Sequence, residues 1–417
     1  MAINSKYARW FGAVAIAAAA FSATNVAAED LTLWTLNFDN GAANGALKKV
    51  ATDFEAANPG THIEIVQRGV DEHKTALRVA AGSSKGPDIY FSWAGLGLGG
   101  EYVKAGLSLP LDKYYTQYKW DDELLPSAAA FADLYPGGKH GVPFTFKGEA
   151  IYYNKKLFQK AGITEEPKAY EELLAAADKL KAAGIPAFTF GGSVNWHVMR
   201  LMDVLLETKC GADKHDALMA MKADWTKEPC ATDAFTEFAK WTKDYTLKPF
   251  MGISNQQSYT LFVAGRAAMM LEGDWLVSQL SGSKVNLDDY GVVPFPTNTN
   301  RLYGFAEYNY VSTKSKNPDL AAKFLDYFLS TKVQQDLVGQ ISSISVNKNV
   351  QYTDQKPLEA KWLDIFKTYS KVYMNGDQAF PLDVTTEYFR VINDVAAGNI
   401  QPADAAKQLQ TFIAGRT

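Results

Sequence analysis

Aromatic rings stand beside hydrogen-bonding side chains at four places in the sequence, each after a predicted strand or at a junction between segments. The four places are Ser92-Trp93, Asn195-Trp196-His197, Asp274-Trp275 and Glu307-Tyr308-Asn309. The apolar face of a sugar ring stacks on an aromatic ring, while its hydroxyl rim needs paired donors and acceptors. For any single ring, a half-buried core position explains the pattern equally well. The four places together favour a site that binds carbohydrate.

Two charged residues, Lys147 and Glu149, flank Gly148 within a segment predicted to be extended. A surface ion pair of little energetic value would explain them without any function. We interpret them instead as cleft residues, because Gly148 and the strand that begins at Pro143 are typical of a crossing between two parts of a chain.

Motifs that carry catalysis are missing from the sequence. It contains no Gly-x-Ser-x-Gly elbow, no phosphate loop ending in Gly-Lys-Ser/Thr and no HExxH. The five histidines are scattered without the spacing of metal ligands, and a glycosidase carboxylate pair is defined by a separation in space. We therefore expect no enzyme activity, no metal and no cofactor. An exported glycosidase or lyase is the alternative of another class.

The first 28 residues have the pattern of a cleavable signal peptide. Lys6 and Arg9 precede an alanine-dominated run over 11–21, which is too short to span a bilayer, and Val26-Ala27-Ala28 provides small residues for cleavage. The residue directly after Ala28 is not a cysteine that could carry a lipid, and no later stretch is long and apolar enough for a membrane span. The sequence thus predicts a protein of the periplasm of a Gram-negative bacterium, not inserted in the membrane.

Composition narrows the partners and the redox state. The chain has a formal net charge of −4 and no long run of Lys or Arg, so we expect it to bind neither nucleic acid nor anionic lipid. Its only cysteines are Cys210 and Cys230. In an exported chain, two cysteines at this spacing are predicted to form one disulfide. A length of 417 residues favours two domains or lobes over one core.

The order of predicted elements indicates an α/β fold. Strands over 31–36, 63–66 and 88–91 alternate with helices over 47–54 and 73–81, which is typical of a parallel sheet with crossover helices. Ligands collect at loops after the carboxyl ends of such strands, here residues 37–40 and 92–95. Further along, the sequence predicts an extended segment over 142–154, a helix over 170–183, a strand over 187–190 and a helix starting at Asn317-Pro318.

Several sequence blocks, taken in this order and spacing, resemble the extracellular sugar-binding proteins of bacterial ABC importers, the group that includes maltose-binding protein. The blocks are Phe54–Gly60 with His62–Ile65, Ala80–Ser83 with Gly86–Tyr90, Pro143 with Gly148 and Ile151–Phe158, Phe262–Met270 with Gly273–Trp275, and Ser315–Pro318 with Phe324–Leu325 and Gln334–Gln335. The C-terminal 65 residues or so contribute little to the resemblance.

The resemblance implies a periplasmic binding protein fold, in which two α/β lobes are joined by three crossings near 144–148, 296–304 and 329–332. The predicted lobes are 29–144 plus 303–331 and 145–302 plus 332–417. A monomer would capture a mono- or short oligosaccharide or glycoside in the cleft, close by a hinge and dock on the membrane permease. The alternative is the same fold with a non-sugar cargo, such as an organic sulfonate, a phosphate or a polyamine.

The resemblance also adds residues to the predicted site. It implies that Trp275 stacks on the sugar, that Asn37, Asp39 and Trp93 contribute from the first lobe, and that Glu149 contributes from a crossing. The complete predicted ligand-binding set is Asn37, Asp39, Trp93, Lys147, Glu149, Asn195, Trp196, His197, Asp274, Trp275, Glu307 and Tyr308.

Overall fold

A computed structural model describes residues 29–38, 41–353, 355–369 and 371–416. The predicted signal peptide and Asp39 lie outside the described residues. Within them, no helix has both the length and the apolar character needed to cross a membrane.

The first part of the chain has the predicted strand–helix alternation. It comprises β1 (Glu29–Leu36), α1 (Gly41–Ala57), β2 (Thr61–Arg68), α2 (Val70–Ala81) and β3 (Ile89–Trp93). Strand β1 pairs in parallel with both β2 and β3. Helix α1 buries Leu47, Val50 and Phe54, which recur on one face, against this sheet. The predicted parallel α/β arrangement is confirmed.

Short helices then lead to the long strand β4 (Val142–Asn154), whose bounds equal the predicted extended segment. The short helices are α3 (Gly99–Lys104), α4 (Asp112–Tyr118), α5 (Trp120–Glu123) and α6 (Pro126–Ala129). After β4 come α7 (Lys155–Lys160), α8 (Tyr170–Ala182), α9 (Asn195–Met219), α10 (Pro229–Asp244), α11 (Asn255–Val263), β5 (Met269–Gly273), α12 (Leu276–Gly282), β6 (Tyr290–Val293) and β7 (Leu302–Val311). Helix α9 is interrupted at Gly211, where φ is 72°. Beside this break, Cys210 forms the predicted disulfide with Cys230 of α10.

The C-terminal part is mostly helical. It comprises α13 (Pro318–Leu329), α14 (Thr331–Leu337), α15 (Pro357–Thr368), β8 (Val372–Tyr373), α16 (Gly376–Ala379), α17 (Leu382–Ala397) and α18 (Pro402–Ala414). As predicted, α13 starts at a proline, which suits the first helical turn because its missing N–H has no partner there in any case.

One sheet connects the two lobes. Its strand order is β2-β1-β3-β7-β4-β5, with β6 paired to β4 and β8 paired to β7. Strands β4 and β7 are buried along their whole length and run antiparallel to each other, from Val142 opposite Asn309 to Glu149 opposite Tyr303. These two paired strands pass from one lobe into the other.

The hydrophobic cores follow the same division. One cluster draws its residues from 31–146 and 306–346. The other two draw theirs from 150–303 and 358–409. Val333, Leu337 and Val346 pack in the first cluster, which favours placing 332–346 with the first lobe. The predicted lobe boundaries otherwise stay a prediction.

The prediction of a strand over 187–190 is wrong. Phe188 makes only isolated bridges, one to Thr246 and one to Met269. The backbone of this segment divides its hydrogen bonds between two neighbours, since the Phe188 N–H bonds to the Tyr245 carbonyl and the Thr189 N–H bonds to the Met269 carbonyl. The segment forms isolated bridges to each neighbour and no continuous strand pairing.

Candidate functional site

A cavity of about 280 Å³ opens between the two lobes. It lies at the carboxyl ends of β1 and β3, where a sheet of this type collects ligands. The polar and aromatic side chains that line it include Asn37, Lys74, Trp93, Lys147, Trp196, Arg200, Asn255, Trp275, Phe305, Glu307, Asn375, Asp377 and Gln378. Both lobes and both crossing strands therefore contribute to one site.

The structure brings half of the predicted set together at this cavity. Asn37, Trp93, Lys147, Trp196, Trp275 and Glu307 line it. Trp93 ends β3 and is covered by the Lys74 ammonium, which lies 4.8 Å from the ring centroid. Trp275 follows β5 and packs 5.8 Å from Phe305 on β7.

Two further predicted residues, Glu149 and Asp274, lie buried behind the cavity wall. Glu149 accepts a hydrogen bond of 2.8 Å from the Asn375 amide and pairs with Arg200. Asp274 accepts from the Ser343 N–H at 3.1 Å and lies 3.9 Å from the Lys147 ammonium. Both carboxylates position cavity residues instead of lining the cavity themselves.

Three predicted residues lie elsewhere, because their neighbours take the direction that faces the cavity. Asn195 is exposed and accepts a hydrogen bond from Asn393, while His197 is fully buried and its Nδ1 accepts from the Gly191 N–H at 2.8 Å. Consecutive helical residues point in different directions, so Trp196 faces the cavity and its two neighbours do not. For the third residue, Tyr308, the reason is that successive residues of a strand face opposite sides of the sheet.

The strand alternation accounts for Tyr308. Glu307 faces the cavity, and Tyr308 on the other side of β7 is fully buried in the core. The hydroxyl of Tyr308 donates to the Ala129 carbonyl at 3.1 Å. Asn195, His197 and Tyr308 are therefore left out of the site that we propose below.

Arg200 is a cavity residue that the predicted set did not include. It lies one turn after Trp196 on α9, and its guanidinium carbon is 4.6 Å from the Trp196 ring centroid and 5.3 Å from that of Trp275. The guanidinium therefore contacts both indole rings. Glu149 on β4 and Glu272 on β5 pair with it at 2.5 Å and 2.7 Å. The signal that could have found Arg200 is its position four residues after Trp196 in a helical segment.

The segment Asn375–Gln378 is a second contribution that sequence reasoning missed. Three of its side chains, Asn375, Asp377 and Gln378, line the cavity. A buried Asp203 on α9 anchors the segment by accepting a hydrogen bond of 2.9 Å from the Gly376 N–H. Asp203 also accepts from the hydroxyls of Tyr303 at 2.7 Å and Tyr388 at 2.8 Å.

Burial dominates the electrostatics of the site. It raises the pKa of the Glu149 carboxyl to about 7, although the charge of Arg200 opposes the shift. It raises the pKa of Asp203 to about 6 against the hydrogen bonds that stabilise the charged form. Burial also raises the pKa of Glu307, opposed by Lys147, and that of Asp377, opposed by Lys74.

Four acceptor oxygens of cavity residues are buried and have no hydrogen-bond partner among the residues that the structure describes. They are Asn255 Oδ1, Asn375 Oδ1, Asp377 Oδ1 and Gln378 Oε1. A buried acceptor left unpaired costs about 1–3 kcal/mol, and such groups in native proteins call for an explanation. A ligand that offers hydrogen-bond donors would satisfy them.

The two lobes touch at the rim of the cavity. The Gly97 N–H, in the loop after β3, donates to the Gln378 carbonyl at 3.3 Å. The approach requires glycine, because a Cβ on Gly97 would lie 2.3 Å from the carbonyl oxygens of both Asp377 and Phe380. We interpret this contact as one that forms when the lobes close over the cavity.

The fold and the cavity between its lobes define a ligand-binding protein of the two-lobed periplasmic type. The sequence profile of the bacterial extracellular solute-binding proteins matches residues 39–335, and the chain belongs to this family. It is the solute-binding component of an ABC transporter, and such components bind small ligands and interact with permeases. The family consists of substrate-binding proteins and not of enzymes. In the described part of the chain, no cluster of His, Cys, Asp or Glu could hold a metal ion.

The chain is similar to proteins whose names state different ligands. The chain is 25% identical over 340 residues to an uncharacterized ABC transporter extracellular-binding protein of Pyrococcus horikoshii, covering 79% of this chain and 74% of that one. It is 24% identical over 262 residues to the sn-glycerol-3-phosphate-binding periplasmic protein of Brucella abortus, covering 61% and 59%. The structure of a chitin oligosaccharide binding protein superimposes with a TM-score of 0.82 at 23% identity, covering 92% of this chain and 98% of that one.

Proposed function

We propose that this protein captures an uncharged carbohydrate, a monosaccharide or short oligosaccharide, and delivers it to the permease by closing its two lobes over it. The observation that carries the proposal is the combination of three tryptophans with four unpaired acceptor oxygens around one cavity. Indole rings offer stacking faces to the C–H side of a pyranose. The hydroxyls at its rim would donate to the unpaired acceptors.

The size of the cavity supports a small cargo. Its 280 Å³ lies near the lower end of the roughly 300–1,000 Å³ of small-molecule sites. The polar groups come from both lobes, with Asn37 and Trp93 on one and Asn375 and Asp377 on the other. A ligand that bridges both lobes stabilises the closed form, because only that form makes all of the contacts.

The charges around the cavity support a neutral cargo over an anion. Arg200 is matched by two glutamates, and Lys147 lies beside Asp274. Lys74 is electrostatically coupled to Asp377 across the cleft. Since each cation already has a carboxylate, no unmatched positive charge remains to balance a phosphate or a sulfonate.

A thermal-shift screen tests the proposal. The protein is refolded to release bound ligand and mixed with mono- and disaccharides, maltotriose, raffinose, glycerol 3-phosphate, a sulfonate and spermidine. A ligand at a hundred times its dissociation constant stabilises the fold by about 2.7 kcal/mol. We expect a raised midpoint with one or more neutral sugars, and shifts only with the charged compounds would refute the sugar proposal.

Two tryptophan variants assign a positive result to the cavity. Trp275→Ala removes a ring that lines the cavity, whereas Trp34→Ala removes a half-buried ring on β1 that does not. We expect the first variant to lose the shift given by the sugar and the second to keep it. Equal retention of the shift in both variants would place the binding site elsewhere.

A further inference from the structure

We propose that Arg200 determines the specificity of this site, by holding one guanidinium N–H as a fixed donor that selects an oxygen acceptor and rejects an amine. The inference rests on the proposed function and deepens it. It concerns which sugars the cavity accepts, and it is argued from the surroundings of the guanidinium.

The guanidinium of Arg200 is held by two indole rings and two carboxylates. Its carbon lies 4.6 Å and 5.3 Å from the ring centroids of Trp196 and Trp275. Glu149 pairs with its Nε, and Glu272 pairs with its Nη1 at 2.7 Å. A planar cation stacks on aromatic faces and meets carboxylates along its edge, which an ammonium group cannot do with the same geometry. The orientation of the group is thus fixed before a ligand arrives.

One nitrogen of this group remains available to a ligand. Nε is sealed from solvent beside Glu149, and Nη1 is directed at Glu272 and the Leu271 carbonyl. Nη2 makes no hydrogen bond to any residue that the structure describes, and it is not buried away from solvent. Arg200 itself lines the cavity. Nη2 is therefore the donor that faces the cargo.

A fixed cationic donor at this place discriminates between functional groups. It donates to a hydroxyl, ring or carbonyl oxygen in a charge-assisted hydrogen bond, which is roughly twice as strong as a neutral one. It repels an ammonium group placed at the same point, and the two glutamates that pair with the edge of the guanidinium lie outside the cavity lining. A sugar that presents a hydroxyl or an acetamide to Nη2 is accepted, whereas the corresponding amino sugar is excluded.

The test compares sugars that differ only in this group. The probes are glucose, N-acetylglucosamine and glucosamine, together with cellobiose, N,N′-diacetylchitobiose and chitobiose, measured by calorimetric titration. The readout is the ratio of affinity for the hydroxyl or acetamide form to affinity for the amine form. For the wild type we expect a ratio of at least tenfold in favour of the uncharged form.

Three variants separate specificity from folding. Arg200→Lys keeps the charge without the planar group, and Arg200→Gln removes the charge. Arg200→Gln combined with Glu272→Gln removes a matched pair of charges, which preserves a folded protein if Arg200→Gln alone does not fold. Arg390→Lys is the control, since Arg390 is an exposed residue paired with Glu387 and Asp394 on α17.

We expect the ratio to fall at least tenfold in Arg200→Gln or its double variant, to fall less in Arg200→Lys, and to stay unchanged in Arg390→Lys. An unchanged ratio in folded Arg200 variants, with sugar binding intact, would overturn this inference alone. Wild-type preference for the amine form would overturn it as well. Absence of binding for every uncharged sugar, here and in the screen, would overturn the proposed function and this inference together.

Discussion

The contact between the lobes at Gly97 provides the sharpest prediction. Substituting Gly97→Ala places a Cβ 2.3 Å from two carbonyl oxygens of the other lobe, and real Cβ atoms essentially never come within 3.0 Å of such atoms. The φ angle of Gly97 lies outside the left-handed region, so alanine is not excluded by its own backbone. The overlap is therefore relieved only by separating the loop after β3 from the segment Asp377–Phe380.

The magnitude follows from the contacts that this separation changes. Overpacking a tight contact costs about 1–3 kcal/mol, and the hydrogen bond from Gly97 to Gln378 is lost with it, for about 0.5–1.5 kcal/mol. Part of this is recovered as the loop moves, so about 1.5–3 kcal/mol against the closed form is expected. Each 1.4 kcal/mol changes an equilibrium tenfold. If the cargo binds the closed form, its affinity falls by about ten- to a hundredfold.

Calorimetric titration with the sugar identified in the screen measures the affinity, and small-angle scattering measures the radius of gyration. We expect Gly97→Ala to be less compact than the wild type without ligand, while its circular dichroism is unchanged. The matched control is Gly45→Ala on α1, where an added Cβ has no heavy atom within 4 Å. Alanine at Gly45 favours the helix by about 1 kcal/mol and is expected to leave affinity and compactness unchanged. Wild-type affinity and scattering in Gly97→Ala would refute the closed contact.

Three further predictions concern stability and the framework of the site. The raised pKa values of Glu149 (about 7) and Asp203 (about 6) mean that the folded state binds more protons than the unfolded state above pH ~4. The free energy of unfolding should therefore fall as the pH rises through 6–7, and Glu149→Gln should flatten this dependence in urea titrations; a rising profile would contradict it. Removing the Cys210–Cys230 disulfide by Ser substitution of both residues should lower the free energy of unfolding by roughly 3 kcal/mol, and an unchanged denaturation midpoint would be inconsistent with a stabilising link. Asp203→Asn should weaken sugar binding in titrations by loosening the segment that begins at Asn375, with a loss of about 1.5–3 kcal/mol in stability; unaltered binding would show that Asp203 does not hold the segment.

Local patterns in the sequence were sufficient for much of the fold. Alternating strands and helices with turn residues between them predicted β1 to β3, and the bounds of β4 were predicted over 142–154. The strand prediction for 187–190 failed because the two partners of this segment, around Tyr245 and Met269, come from other parts of the chain. Strand formation at such a place depends on tertiary neighbours, which a single sequence does not display.

Site residues could be predicted directly only where an aromatic residue stands at the end of a strand. Trp93 ends β3, Trp275 comes shortly after β5, and both line the cavity. Beside Trp196 the phase of the helix was needed to separate it from its neighbours, and the same phase would have pointed to Arg200. Asn375 had no local signal, since its position depends on buried hydrogen bonds to Glu149 and, through the next residue, to Asp203.

The place of β7 in the sheet has a consequence for the order in which the molecule can be assembled. β7 lies between β3 and β4, so residues 302–311 join strands that were made much earlier in synthesis. Until they leave the ribosome, β3 lacks its antiparallel partner, and the sheet exists at most as two separate pieces. Pairing over such sequence distances is slow because the loop must close before any contact forms. The sheet that joins the two lobes is therefore completed only after residue 311 has been made.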